Sequence, residues 1–436
     1  MRICVYGMWH LGTVTAACLA DIGHVVVGLD EDGNIIDELR AGNLPVSEPG
    51  LQEMVLKGVA AKSLSFTTEA ADAIGGAEVL WVTYDTPVDN DDNADSEFVI
   101  DRVVEIFQFL PSDVLVVISS QLPVGSVHRL ESMASSARPG CAIRFSCSPE
   151  NLRLGRAIEV FRSPDRIIVG TRDGADREYF ELLFKTITDR IEWMSTESAE
   201  MTKHAINAFL ATSVTFANEV AEICERVGAD AKEVERGLKS ESRIGPRAYL
   251  APGGAFAGGT LARDVAYLTG IASRNQIGSP LLSSIRQSNE EHKYWPVQVL
   301  QRRFTDLSNT TVAIWGLTYK PGTDTLRRSS AVEIGNWLLE RKVKIRVHDP
   351  AVRDLPENWR DKALRFDSPL EAAVGADAII VATEWPEYKN IDAVNLKRYA
   401  AGVLILDANR FLIHLQGASQ IYYVAVGTPG SSGSLQ

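Results

Sequence analysis

Three sets of residues in this 436-residue chain have types and spacings suited to chemistry. Lys203 and Asn207 stand four apart in a stretch with no Gly or Pro between Thr196 and Arg226, so in a helix they project from one face. An ammonium beside an amide can hold a developing oxyanion or a phosphate. The same spacing also fits a solvated lysine beside a surface amide. The second set is Gly7-Met8-Trp9-His10-Leu11-Gly12, which follows the apolar run Arg2 to Tyr6 and precedes a helix-forming segment, from about Thr13 to Asp21. A second apolar run, His24 to Leu29, ends at Asp30. This is the plan of a dinucleotide site, in which the turn approaches a pyrophosphate and the acid accepts from the adenosine ribose. Asp30 favours NAD, because a 2′-phosphate would be repelled. Trp9 replaces the middle glycine of the fingerprint, so its ring must swing aside or the cofactor must sit differently. The third set lies at strand ends, where parallel sheets bind ligands. Thr86 follows the apolar run Val79 to Thr83, Gln121 follows Val114 to Ser119, and Glu150 follows Ile143 to Cys147.

The elements that must position these groups follow from periodicity. Met201, Ala205, Phe209, Val214, Phe216, Val220 and Cys224 recur at helical spacing. Thr196 to Asp230 therefore reads as one long helix of roughly 50 Å, with Thr196 as N-cap and Gly228 as stop. Beyond it, Pro252-Gly253-Gly254 is a loop free enough in φ to wrap a diphosphate with backbone N–H groups. Helices are expected from Asp264 to Arg274 and from Pro280 to about Arg303. Thr311 to Trp315 opens a further strand-turn-helix series, with strands at Ile345 to His348, Asp377 to Ala382 and Val403 to Leu406. In its first loop Lys320 suits a phosphate, and Arg327 offers a planar fork to phosphate or ribose oxygens. Strands alternating with helices make this an α/β chain with two Rossmann-like parallel-sheet domains joined by the long helix.

Composition narrows the class. Hydrophobic content of 45% and charged content of 23% are those of an ordinary globular protein. A net charge of −13 argues against a nucleic-acid partner. The five cysteines (4, 18, 141, 147 and 224) lack metal-ligand spacing, so no metal is expected and reduced thiols in the cytoplasm are. No apolar run is long enough to span a bilayer, and no signal peptide is visible. The acidic loop Asp89 to Asp95 reads as solvated surface. The expected domains are 1–195 with the dinucleotide turn, 196–305 with the long helix and the helices after it, 306–425 with the second strand–helix series, and a disordered tail at 426–436.

Taken together, these pieces resemble the UDP-glucose/GDP-mannose dehydrogenase family. The matching stretches are Pro45-Val46-Ser47-Glu48-Pro49-Gly50-Leu51, Ser148-Pro149-Glu150-Asn151-Leu152-Arg153, Ser163-Pro164-Asp165-Arg166, Arg243-Ile244-Gly245, Gly316-Leu317-Thr318-Tyr319-Lys320-Pro321, Asp324 with Arg327, and Thr383-Glu384-Trp385-Pro386. The resemblance implies oxidation of a nucleotide sugar at C6 with NAD, in a homodimer built on the long helix, with 196–305 as a helical dimerisation region, NAD held by 1–195 and the nucleotide sugar by 306–425. It implies cofactor contacts at Gly7, Trp9, His10, Leu11, Asp30, Thr86, Gln121 and Arg327. Substrate contacts fall on Leu152, Arg153, Tyr249, Phe256, Gly258 and Lys320, and Arg243 would reach the partner's site. The catalytic set is Lys203, Asn207, Asp264, Glu150 and Thr260.

The chain departs from that family where the second oxidation needs sulfur. The family's Gly-Gly-x-Cys-x-x-Lys-Asp loop reads Phe256-Ala257-Gly258-Gly259-Thr260-Leu261-Ala262-Arg263-Asp264, so Thr260 stands in place of the Cys. A thiolate adds to an aldehyde and gives a hydride-donating adduct, then a thioester that water cleaves. A hydroxyl without a strong base does not. Gln121 and Leu154 replace a Thr and a Glu of the family pattern, and Asp407-Ala408-Asn409-Arg410 blurs another. One hydride transfer remains supported: Lys203 for an alkoxide, Asn207 and Asp264 for a water acting as base. The leading expectation is a single two-electron oxidation at C6. The substrate would be the secondary alcohol of a longer sugar, such as the GDP-octose of lincosamide antibiotic biosynthesis, or a primary alcohol stopped at the aldehyde. A redox-neutral variant with epimerisation or elimination belongs to the same reading. The alternatives are an inactive nucleotide-sugar-binding protein and an ordinary UDP-glucose 6-dehydrogenase. Cys147 is expected to be a buried strand-end thiol.

Overall fold

The computed structural model describes residues 1–89, 94–257 and 259–429, which form two compact units, Met1–Ile206 and Asn207–Gln436. The division falls inside the long helix, so the middle region expected at 196–305 is shared between them. Gly258, residues 90–93 of the acidic loop and 430–436 of the tail lie outside the described residues.

The first unit is a doubly wound sheet of eight strands: β1 (Arg2–Tyr6), β2 (Val25–Leu29), β3 (Leu64–Thr67), β4 (Val79–Val82), β5 (Leu115–Ile118), β6 (Arg144–Cys147), β7 (Ile167–Gly170) and β8 (Ile191–Met194). The order is β3-β2-β1-β4-β5-β6-β7-β8, so the topological switch lies between β1 and β4. Pairing is parallel except where Cys147 meets Gly170 antiparallel, so β7 and β8 run against the rest. Each face carries its own apolar layer. Val5, Val14, Leu19, Val55 and Phe180 pack on one side; Tyr6, Leu80, Val99, Val116 and Leu130 pack on the other. Strands buried on both faces explain the continuous apolar runs.

The second unit repeats the plan with six parallel strands: β9 (Thr311–Trp315), β10 (Lys344–His348), β11 (Ala363–Arg365), β12 (Ala378–Val381), β13 (Val403–Leu406) and β14 (Ile421–Val424). Its order is β11-β10-β9-β12-β13-β14. Residues 426–428, expected in a loose tail, are held in place. Val426 is buried, and the Gly427 N–H donates to the buried Glu225 at 3.0 Å.

The long helix runs Thr196–Val227. Its cap is Ser195 rather than Thr196, because the Ser195 hydroxyl accepts from the Ser198 N–H at 3.2 Å. Gly228, at φ +80°, ends it as expected. Within the second unit this helix leaves Phe209, Phe216 and Ile223 exposed, seven residues apart, with Phe209 70% accessible. The single helix expected from Pro280 is two, Pro280–Lys293 and Trp295–Arg303. Pro296 has no N–H to continue the first, but it fits the opening turn of the second. Among the described residues no helix is long and apolar enough to cross a membrane.

Candidate active site

The cofactor turn follows β1. Gly7 has φ +100°, and a Cβ there would lie 2.9 Å from the Tyr84 ring. A Cβ on Gly12 would lie 1.8 Å from the Gly7 carbonyl oxygen. These two glycines are therefore obligatory, and both are present. Trp9 has φ −82°, which any L-residue adopts, and the residue is 45% exposed. It thus reaches solvent from the turn, and the lost middle glycine costs no backbone strain. Helix His10–Asp21 starts three residues earlier than expected, directly after the turn.

Asp30 ends β2 and is buried. Its Oδ2 accepts the Met8 N–H at 2.6 Å and its Oδ1 accepts the Asp32 N–H at 3.0 Å. A carboxylate offers about four acceptor positions, so capacity remains for ribose hydroxyls. The residues present therefore fit a dinucleotide. At the ends of β4 and β5, the Thr86 hydroxyl donates to the Gln121 carbonyl at 2.6 Å, which ties together two residues expected near the cofactor.

Glu150 and Lys203 meet in the same unit. The Lys203 ammonium donates to the Glu150 carbonyl at 2.7 Å and lies 3.3 Å from its Oε1. Oε2 accepts the Leu152 N–H at 2.7 Å, which folds the following loop back on the carboxylate. These two residues line a cavity of about 280 Å³ with Gln121 and Cys147. Leu11, Thr15, Glu150, Leu152, Phe161 and Arg166 are among those lining a larger one of about 540 Å³. The Cys147 thiol is buried, and burial together with the Glu200 charge pushes it well above its ordinary range, so it stays protonated. Glu200 and His204, neither of them expected at the site, fasten the Gln121 loop. Glu200 accepts the Gly125 and Val127 N–H groups at 2.6 and 2.9 Å, and His204 Nε2 lies 3.0 Å from the Leu122 carbonyl.

In the second unit the Asn207 amide donates to the carboxylate of Asp264, which is fully buried. Asp264 lies in the helix Thr260–Arg274, which begins four residues before the expected start. Thr260 is its exposed first residue, one turn before Asp264 on the same face, and Gly259 at φ +107° turns the chain into it. Asn289 holds Phe256 by both backbone groups, at 2.8 and 2.9 Å. Lys320 lies 5.8 Å from the Tyr319 ring centroid. Arg327, Tyr249 and Arg243 are exposed, the last with Nε 3.0 Å from Glu241. Arg153 and Leu154, in the first unit, are exposed as well.

One expectation changes here. The Gly253 and Gly254 N–H groups do not wrap a diphosphate. They donate to Asn218 at 3.0 Å and Asn409 at 2.7 Å, so the blurred position near the end of the chain holds this loop. His292, 2.8 Å from the Gly253 carbonyl, completes the clamp. In addition, Asp349 ends β10 where Asp30 ends β2, but it is saturated. It accepts from the N–H groups of Leu317, Thr318, Ala351 and Val352 at 2.6 to 3.2 Å and from the Trp385 indole at 3.1 Å. Trp385 of the Thr383-Glu384-Trp385-Pro386 stretch thus takes up acceptor capacity of the kind that Asp30 keeps in the first unit.

A glycine turn and an open acid at the switch point of a doubly wound sheet, with Glu150 beyond a strand end held by Lys203 of the long helix, fit an NAD-binding α/β oxidoreductase. The chain belongs to the UDP-glucose/GDP-mannose dehydrogenase family. It matches that family's NAD binding domain at residues 1–188, its central domain at 197–291 and its UDP binding domain at 313–414. It is 32% identical to a UDP-glucose 6-dehydrogenase of Pseudomonas aeruginosa, covering 98% of each chain. It is 32% identical to a UDP-glucose 6-dehydrogenase of Bacillus subtilis, covering 100% of each. A UDP-glucose dehydrogenase structure from Pyrobaculum islandicum superposes with a TM-score of 0.85 at 28% identity, covering 98% of each chain. NAD is the cofactor of this family's first domain.

Proposed function

We propose that this NAD-dependent nucleotide-sugar dehydrogenase performs one two-electron oxidation at C6 and releases a carbonyl. The observation that carries the reading is Thr260. It occupies the first turn of the helix that holds Asp264, and no cysteine follows Cys224 in the sequence. Asn207, bonded to Asp264, supports a water held as base at the substrate hydroxyl, and Lys203 supports the developing alkoxide. NAD, which the Gly7–Gly12 turn and Asp30 would hold, would supply the hydride acceptor. The hydroxyl proton leaves through the water, and CH–OH becomes C=O.

A secondary alcohol fits this chemistry, because a ketone cannot proceed to an acid and sulfur would be useless. An octose linked to GDP, of the kind used in lincosamide antibiotics, carries such a carbon. The family's UDP binding domain equally supports a UDP-linked sugar. The exposed Phe209, Phe216 and Ile223 stripe supports a second copy of the chain packing on the long helix, with Arg243 reaching its partner's site.

Incubation of the purified protein with NAD and a panel of UDP- and GDP-sugars tests the reading. NADH yield and product mass are followed together. A product lighter by two hydrogens supports it. A product that gains one oxygen and loses two hydrogens refutes it and supports the uronate-forming alternative. Deuterium exchange at carbon without net NADH indicates the redox-neutral variant, and failure to bind NAD indicates a binding protein.

A further inference from the structure

Glu48 lies in a stretch, Pro45 to Leu51, to which the reaction assigns no role. Its side chain is 1% exposed. Oε2 lies 3.0 Å from His10 Nε2 and accepts the Gly155 N–H at 2.8 Å, and Oε1 accepts the Ala157 N–H at 2.8 Å. The donors come from two segments far apart in sequence. His10 is the first residue of the helix after the cofactor turn. Gly155 and Ala157 end the loop that starts at Glu150 and open the short helix Ala157–Arg162. Leu11 and Leu152, one from each segment, line the same 540 Å³ cavity.

Burial alone would push this carboxyl up. The Gly155 and Ala157 N–H groups and His10 outweigh it, and the group is held below its usual range. A buried carboxylate that loses a donor is costly, so neither segment can move without weakening the hold on the other.

We propose that Glu48 is a positioning residue that couples cofactor binding at the His10 turn to order in the loop 150–157. NAD bound on the turn fixes His10, His10 fixes the carboxylate, and the carboxylate fixes the loop that carries Glu150. The inference rests on that loop being the substrate side of the site, but its main test needs no substrate.

Backbone hydrogen exchange is measured with and without NAD in the intact protein, its Glu48→Gln and Glu48→Asp variants, and His10→Phe. In the parent protein NAD is expected to slow exchange across 150–157. Glu48→Gln is expected to bind NAD about tenfold more weakly and to lose that protection even at saturating NAD. Glu48→Asp keeps the charge and is expected to restore part of it. If the Glu48 variants do not fold, His10→Phe, which leaves both loop amides on the carboxylate, must still abolish the NAD-dependent protection. A folded Glu48→Gln that retains parental NAD affinity and NAD-dependent protection overturns the proposal. With a turned-over sugar, Glu48→Gln should raise KM for NAD and lower kcat, whereas a defect of folding alone lowers kcat and leaves KM unchanged.

Discussion

Replacing Thr260 by cysteine should carry the reaction one oxidation further. Thr260 is an exposed first-turn residue, so Thr260→Cys is expected to change stability by no more than about 0.5 kcal/mol. The helix Thr260–Arg274 is 15 residues long, and its N-terminal dipole contributes roughly 0.3–1 kcal/mol to an adjacent anion. That shifts the thiol–thiolate balance about two- to fivefold toward thiolate relative to a free cysteine. With UDP-glucose as a primary-alcohol probe, the thiolate adds to the aldehyde, the adduct gives up a second hydride, and water cleaves the thioester to a carboxylate and free thiol. The assay is NADH per sugar by absorbance, with product mass in parallel. The parent protein is expected to approach one NADH per sugar and a carbonyl product, and the variant to approach two and a carboxylate. Two NADH and a carboxylate from the parent protein would refute the reasoning. So would a folded Thr260→Cys, also tested with Arg263→Lys, whose new thiol reacts with iodoacetamide yet which yields only carbonyl. Cys147→Ser should leave the product unchanged, since that thiol is buried and protonated.

Lys203→Ala should lower kcat about 10²- to 10³-fold, measured as NADH formation, while NAD affinity by titration stays near parental. Asp30→Ala removes the acceptor of the Met8 N–H and of the ribose, so KM for NAD should rise about ten- to a hundredfold while kcat changes less. Hydrogen bonds from Arg172, at 2.6 and 2.8 Å, hold the Glu197 carboxyl at about 2, below its usual 4.5. A carboxyl depressed by folding stabilises the fold above about pH 4.5 and loses that contribution as pH falls toward 2. Arg172→Gln should therefore lower stability at pH 6 by less than about 1 kcal/mol, because the pair is exposed, and its unfolding curves should meet the parental ones near pH 2. Charging the apolar stripe with Phe209→Glu and Ile223→Glu should halve the mass seen by light scattering if two copies pack there, and should leave it unchanged otherwise.

What the sequence displayed best was local. The absence of Gly and Pro between Thr196 and Arg226 announced the long helix, and the glycine turn with Asp30 announced the cofactor crevice. Ser195 was overlooked as the cap because it and Thr196 are adjacent hydroxyl residues, and only the hydrogen bond to Ser198 separates them. The antiparallel reversal at β7 left no trace, since burial on both faces gives the same apolar run in either direction. The site's supports were hidden by distance along the chain. Gly254 looked available for a ligand because Asn409, which takes its N–H, lies 155 residues away. Glu48 was visible as part of a motif, but its donors Gly155 and Ala157 are 107 and 109 residues distant.

The exposure of Trp9 has a practical consequence for spectroscopy. Of the eight tryptophans, it is the large-surface exception: Trp295, Trp315 and Trp359 are sealed in apolar cores, while Trp9 stands in solvent at the lip of the cofactor turn. Its emission should be red-shifted and open to acrylamide, and a reduced nicotinamide arriving beside it would drain that emission by energy transfer. The chain thus carries its own unlabelled fluorescent gauge of cofactor arrival, with the enclosed indoles as an internal baseline.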